Sequence, residues 1–143
     1  MDKETVTLLN EVVKNTEMGK NTVSQLLDVT EDERLLDHLH TQLDTYEDLS
    51  RRAHAMLAVD GEEAQGAGPM AKMGAKMGVT MQTMRDSSTR QIAKMLREGA
   101  CVGVSDMTIA LKDNPDANPG AVALAERLQS AENTYAQQLE SLL

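Results

Sequence analysis

Apolar residues along this chain recur at spacings of three and four, the period of a helix with one buried face. The first such stretch runs from about Lys3 to Leu27 and is carried by Val6, Leu9, Val13, Val23 and Leu27. A second follows Thr30-Glu31-Asp32-Glu33, a capping-box pattern in which the Thr hydroxyl and the Glu carboxylate satisfy free backbone N–H groups. It continues through Leu36, Leu39, Leu43, Tyr46, Ala53 and Leu57 and stops at Asp60-Gly61, where glycine suits a helix end. Residues 60–68, DGEEAQGAG, read as a linker of small residues. Pro69 opens a third, shorter helix to about Arg85, since proline fits a first helical turn. Asp86-Ser87-Ser88 interrupts the pattern, and Ser88 with Gln91 offers a second capping box. A fourth helix is expected from about Thr89 to Lys112, with Gly99, Val102, Gly103 and Asp106 on its inward stripe. After the loop DNPDAN, Asn118 and Pro119 form an N-cap and first-turn pair for a last helix over about 119–142.

Four of these five helices are about 25 residues long, so each spans roughly 37 Å. Long antiparallel helices of this kind predict an all-α, up-down four-helix bundle. One domain of 143 residues follows, with a hairpin at 3–59, a linker and short helix at 60–86, and a hairpin at 88–142. The two hairpins also resemble each other. MGKNTVSQLL around Gly19 parallels VGVSDMTIAL around Gly103, and LHTQLDTYEDL from Leu39 parallels LQSAENTYAQQL from Leu128. The second alignment superposes Thr45-Tyr46 on Thr134-Tyr135. This order across both helices points to a duplicated hairpin with pseudo-twofold symmetry.

Composition supports the helical reading. The chain has ten Met, no Trp or Phe, and only Tyr46 and Tyr135 as aromatics. Strands favour aromatic and β-branched residues, whereas Leu, Ala and Met favour helices. A 41% hydrophobic and 26% charged composition fits a globular chain. The formal net charge of −9 argues against general nucleic-acid binding, because an acidic chain repels phosphate backbones. One cysteine, Cys101, excludes an internal disulfide and suits a reducing compartment. It lies off the inward stripe with no His in its half of the chain, which predicts an inert thiol. The polar start MDKET has no apolar signal core, and no apolar run approaches the ~20 residues that cross a bilayer. A cytoplasmic protein is expected.

The segments LLNEV from Leu8, MG at Met18-Gly19, MAKMG from Met70, IAKMLREGACVG from Ile92 and the closing LAERLQSAENTYAQQLESLL together resemble the ferritin-like superfamily. The resemblance is nearest to a family of small bacterial ferritin-like bundles without assigned function, and it spans almost the whole chain. It implies the bundle fold. In the superfamily's enzymes it also implies two Fe or Mn ions, held by a Glu on one helix and a Glu-x-x-His on the next, in each hairpin. This sequence departs from that pattern. The corresponding positions read Leu43-x-x-Tyr46 and Glu132-x-x-Tyr135, no His follows His54, and Asp37-x-x-His40 has no counterpart. No cofactor is expected, with Fe, Mn or Zn kept as an alternative.

A mid-bundle polar layer is expected instead, from Glu17, Asp106, Glu132, Tyr46 and Tyr135. Its plain role is tyrosine hydroxyls donating to carboxylates to satisfy buried polar groups; its sharper role is a pocket for a small ligand or a single metal. On helix two, His40, Asp44, Glu47, Arg51 and His54 recur at spacings of three and four. They fit an ion-paired surface better than a Zn²⁺ site. In the short helix, Met70, Met73, Met77, Met81 and Met84 make a stripe flanked by Lys72, Lys76 and Arg85. Flexible Met side chains suit adaptable packing. That face is expected to cap the core or to form a homodimer or protein-partner interface, ahead of any membrane contact. The leading expectation is a non-catalytic bundle acting through helix-mediated association; the alternative is a metal- or small-ligand-binding bundle.

Overall fold

The computed structural model describes residues 1–66, Val79 and 86–143. The predicted third helix, with Met70, Met73, Met77, Met81 and Met84, lies outside the described residues. Among the described residues four long helices form: α1 (Lys3–Leu27), α2 (Glu33–Val59), α3 (Thr89–Asp113) and α4 (Pro119–Leu139). A short 3-10 turn, Glu140–Leu142, follows α4 where a continuous helix to 142 was expected.

Each helix begins at a polar side chain that accepts from a free backbone N–H. Asp2 accepts from Thr5 at 2.7 Å, Asp32 from Leu35 at 3.0 Å, Ser88 from Gln91 at 3.2 Å and Asn118 from Ala121 at 2.8 Å. The cap of α2 therefore differs from the Thr30 expectation. Asp32 is as good a cap, and starting there leaves Asp28–Thr30 free to make the turn. The Thr30 hydroxyl donates back to the Leu26 carbonyl at 2.6 Å, closing the end of α1 instead. Beyond α2, Gly61 takes a φ of 74° and its N–H reaches the Ala58 carbonyl. Only glycine enters that left-handed region without strain.

Leu9, Val13 and Val23 of α1 and Leu39, Tyr46, Ala53 and Leu57 of α2 are buried as their stripes predict, whereas the α3 stripe is shifted by about one position. In α1 the core side chains are Leu8, Leu9, Val12, Val13, Val23 and Leu26, with Val6 and Leu27 at the margin. In α2 they are Leu35, Leu39, Leu49, Ala53 and Leu57, with Leu43 at the margin. In α3 the buried line is Ile92, Leu96, Ala100, Gly103, Met107 and Ala110. Gly99, Val102 and Asp106 fall beside it and are exposed. The reason is geometric. Steps of four and three keep 96, 100, 103, 107 and 110 on one face, whereas 99, 102 and 106 drift about a quarter turn away. Each fully buried Leu contributes roughly 1.5–3 kcal/mol. Ala93, Ala121 and Ala125 let the helices approach closely between them.

The chain directions follow from contacts at the helix ends. The N-terminal amino group lies 3.2 Å from Asp60, so α2 ends where α1 begins. Asp116 N–H donates to Glu4 and Asn118 N–H to Thr5, so α3 ends and α4 starts at that same end. Arg97 meets Glu140 at 3.1 Å near the other end. Helices α2 and α3 therefore run in the same direction, and residues 60–88 carry the chain from one end of the bundle to the other. This is the bundle variant with one long crossover. The described start of the crossover follows α1: Gln65 N–H donates to Asn10 Oδ1 at 2.8 Å, and Gly66 packs on the Glu17 carboxylate. Val79, within the crossover, joins the core. No helix among the described residues is long and apolar enough to cross a membrane.

Candidate functional site

The bundle opens at mid-height between α1 and α3. A groove of about 380 Å³ lies there, walled by Met18, Val23, Met95, Leu96 and Val102. It exists because three glycines line it. Gly19 of α1 and Gly103 of α3, paired by the internal repeat, both border the groove, and Gly99 adds a further gap on α3. At the first two positions there is no room for a side chain. A Cβ on Gly19 would lie 2.6 Å from a ring carbon of Tyr46, and one on Gly103 would lie 2.9 Å from Cδ of Glu132. At Gly99, exposed at the edge of the groove, a Cβ would meet nothing within 4 Å. The glycines thus let Tyr46 and Glu132 come up from α2 and α4 and form the polar floor.

Glu132 and Tyr46 are each 2% exposed. The Tyr46 hydroxyl accepts from Gln42 Nε2 at 2.7 Å and hydrogen-bonds to the Glu132 carboxylate. Glu132 Oε2 has no partner. Burial raises the Glu132 carboxyl from 4.5 to about 7; the Tyr46 bond opposes this, and the negative charge of Asp106 adds to it. Tyr46 is held well above its ordinary value of 10.0, first by burial and then by the Glu132 charge. A carboxyl that titrates near neutrality on the wall of a cleft is a candidate functional group, since burial and a charged neighbour are how sites tune acids.

Not every member of the expected polar layer joins this floor. Asp106 is exposed but lines the groove mouth, with Glu11 and Lys14 opposite on α1. Tyr135 turns sideways and donates to Thr45 at 2.6 Å. Burial raises its pKa, against that hydrogen bond. Its ring meets Tyr46 edge-on at 6.5 Å and His38 at 5.3 Å. The two hairpins are therefore unequal at the centre: Gly19 faces a tyrosine, while Gly103 faces a glutamate one turn before the matching tyrosine. Glu17 stands apart from the groove, between α2 and the crossover, with Oε1 3.8 Å from His54 Nε2. It belongs to a different face from the one expected.

Two residues of the centre were missed from the sequence. Gln42 and His38 precede Tyr46 by four and eight residues, so a single helix face already aligned them. His38 is partly buried; its Nε2 and the Gln42 Oε1 have no hydrogen-bond partner, and burial pulls the His38 pKa below 6.5 against an opposing effect of Gln42. A polar line, His38–Gln42–Tyr46–Glu132, thus crosses the core from α2 to α4.

His40, Asp44, Glu47 and His54 lie along the outer side of α2, and Arg51 pairs with Asp48 at 2.7 Å. Among the described residues no group of three or more His, Cys, Asp and Glu side chains is placed to hold a metal ion. Among the described residues the bundle centre presents one interior carboxyl, two phenols and one imidazole, which does not fit the four carboxylates and two imidazoles of a two-metal site. Cys101 is exposed on α3.

The same fold occurs in a solved structure. The crystal structure of a DUF305 fragment from Deinococcus radiodurans aligns with a TM-score of 0.76 at 13% identity, covering 98% of this chain and 95% of that one. Likeness at that identity establishes a shared all-α bundle fold and leaves the chemistry to be argued from the site. No family model and no curated protein matches the chain.

Proposed function

We propose that this chain is a non-catalytic bundle of ferritin-like descent that binds a small ligand in the α1–α3 groove. One observation carries the reading: Glu132 lines the groove from inside the bundle, and its Oε2 has no hydrogen-bond partner. An unmet buried acceptor costs about 1–3 kcal/mol, more when charged. A ligand that reaches it recovers that cost. The apolar walls with one convergent polar group match the usual build of a small-molecule site. The reading is non-catalytic because, among the described residues, no Ser, Cys or His lines the groove.

The test is a fragment screen by amide NMR on the wild type and on Gly99→Leu, which adds a side chain at the edge of the groove. Fragments that shift the Gly19 and Gly103 amides in the wild type and not in the variant support the reading. A screen in which no fragment moves these amides sinks it. Elemental analysis of protein purified without chelator covers the metal alternative: about one Fe, Mn or Zn per chain, lost on Glu132→Ala, would replace this proposal.

Association through the Met-rich face at residues 70–84 is a separate proposal that stands on the sequence pattern. Light scattering checks it: a wild-type dimer that becomes a monomer on Met77→Glu with Met81→Glu supports it, and a wild-type monomer removes it.

A further inference from the structure

The geometry points to an organic ammonium ion with an apolar body as the occupant of the α1–α3 groove, its charged nitrogen seated against the Glu132 carboxylate. This deepens the small-ligand reading and rests on it. Three features select the class.

The first is hydrogen-bond polarity. Gln42 Nε2 is already given to Tyr46, and the Tyr46 hydroxyl is directed at Glu132. The floor therefore offers a carboxylate oxygen and needs a donor from the ligand. An ammonium group supplies three N–H donors and no acceptor. The second is charge. Among the described residues, Glu11 and Asp106 stand at the groove against Lys14, with Glu132 beneath them. A carboxylate or phosphate ligand would enter against this excess, whereas a cation is drawn in. The third is shape. The walls are aliphatic and thioether side chains, and Met18 and Met95 are soft enough to adapt. An engineered cavity of about 150 Å³ holds benzene, so about 380 Å³ accommodates on the order of 10–15 non-hydrogen atoms.

Binding is also coupled to protonation. Among the described residues, Tyr46 from α2, Asp106 from α3 and Tyr135 from its own helix act on Glu132, and Glu11 and Lys14 from α1 and Gln42 from α2 line the same groove. Before a ligand arrives, the Glu132 carboxyl holds its proton up to about pH 7. An incoming ammonium must displace that proton, so affinity falls toward tenfold per pH unit below 7 while the amine itself stays charged.

The experiment uses 2-phenylethylamine, its neutral isostere 2-phenylethanol and the anionic 3-phenylpropanoate, titrated into the full chain and followed by amide NMR and calorimetry at pH 6 and pH 8. The amine is expected to shift the Gly19, Gly99 and Gly103 amides, to bind at least tenfold more tightly than the alcohol at pH 8, and to weaken by about tenfold at pH 6. Glu132→Gln keeps the side-chain shape; it should cost the amine at least tenfold and leave the alcohol unchanged. If the alcohol binds the groove as tightly as the amine, or the anion binds more tightly, the ammonium inference is overturned while the small-ligand reading stands. If none of the three probes perturbs the groove, both fall.

Discussion

Replacing Glu132 by Gln tests the electrostatics of the core directly. The carboxyl titrates at about 7 in the fold against an ordinary value of 4.5. Each pKa unit corresponds to about 1.36 kcal/mol, so ionising Glu132 in place costs the fold about 3 kcal/mol more than ionising it in the unfolded chain. The side chain is 2% exposed, so solvent screening removes little of this. Between pH 4.5 and 7 the folded chain holds a proton that the unfolded chain has already released. Stability from this group is therefore fully present below pH 4.5, declines as pH rises, and levels off above about pH 7. The amide of the variant has no proton to lose. The stability of Glu132→Gln relative to wild type should thus rise from its value at about pH 4.5 by about 3 kcal/mol at about pH 8. Urea denaturation of both proteins at four pH values across this range reads the difference, in which titrating groups that do not interact with Glu132 cancel. A constant offset from a weakened Tyr46 hydrogen bond would move all points equally and leave the slope. A difference that stays flat within about 0.5 kcal/mol across this range refutes the reasoning, because it would mean that Glu132 ionises as if in water.

The glycines give opposite signs. Gly19→Ala places a methyl 2.6 Å from the Tyr46 ring and should destabilise by about 1–3 kcal/mol. Gly99→Ala meets open space and should stabilise α3 by about 0.5–1 kcal/mol; thermal melts by circular dichroism compare the two, and equal effects would contradict the packing described. Thr5→Val keeps shape at a fully buried position but removes the oxygen that accepts from Asn118 N–H at 2.8 Å. It should lower the stability read by urea denaturation by about 1–2 kcal/mol, and an unchanged midpoint would show that Asn118 N–H finds another acceptor.

Helix existence and most boundaries were legible because they are local. Lys3–Leu27 followed from spacing, Asn118-Pro119 from cap chemistry, and Gly61 from its conformational freedom. The bundle class followed from helix length and composition. Glu132, Tyr46 and Tyr135 could be nominated because a polar residue on an apolar face stands out. Their partners could not. Tyr135 and Tyr46 occupy matching repeat positions, yet one bonds to Thr45 across the bundle and the other to Gln42 on its own helix. Glu17 looked inward by period alone, but a side chain beside the stripe can face either neighbour, and here it faces His54 and Gly66.

The sequence by itself determined most of the helix boundaries, that each helix buries one face, and that one half resembles the other. These depend on residue propensity, caps and period, all acting within a few residues. Tertiary structure decided what the repeat does. It set α2 and α3 parallel through the crossover and turned the α3 stripe by one position. It also brought Gly19 and Gly103 to one groove, with Tyr46 and Glu132 beneath them. Those outcomes depend on how four helices fill a common volume, and the same burial that fills it leaves Glu132 with a near-neutral pKa and one oxygen unmet.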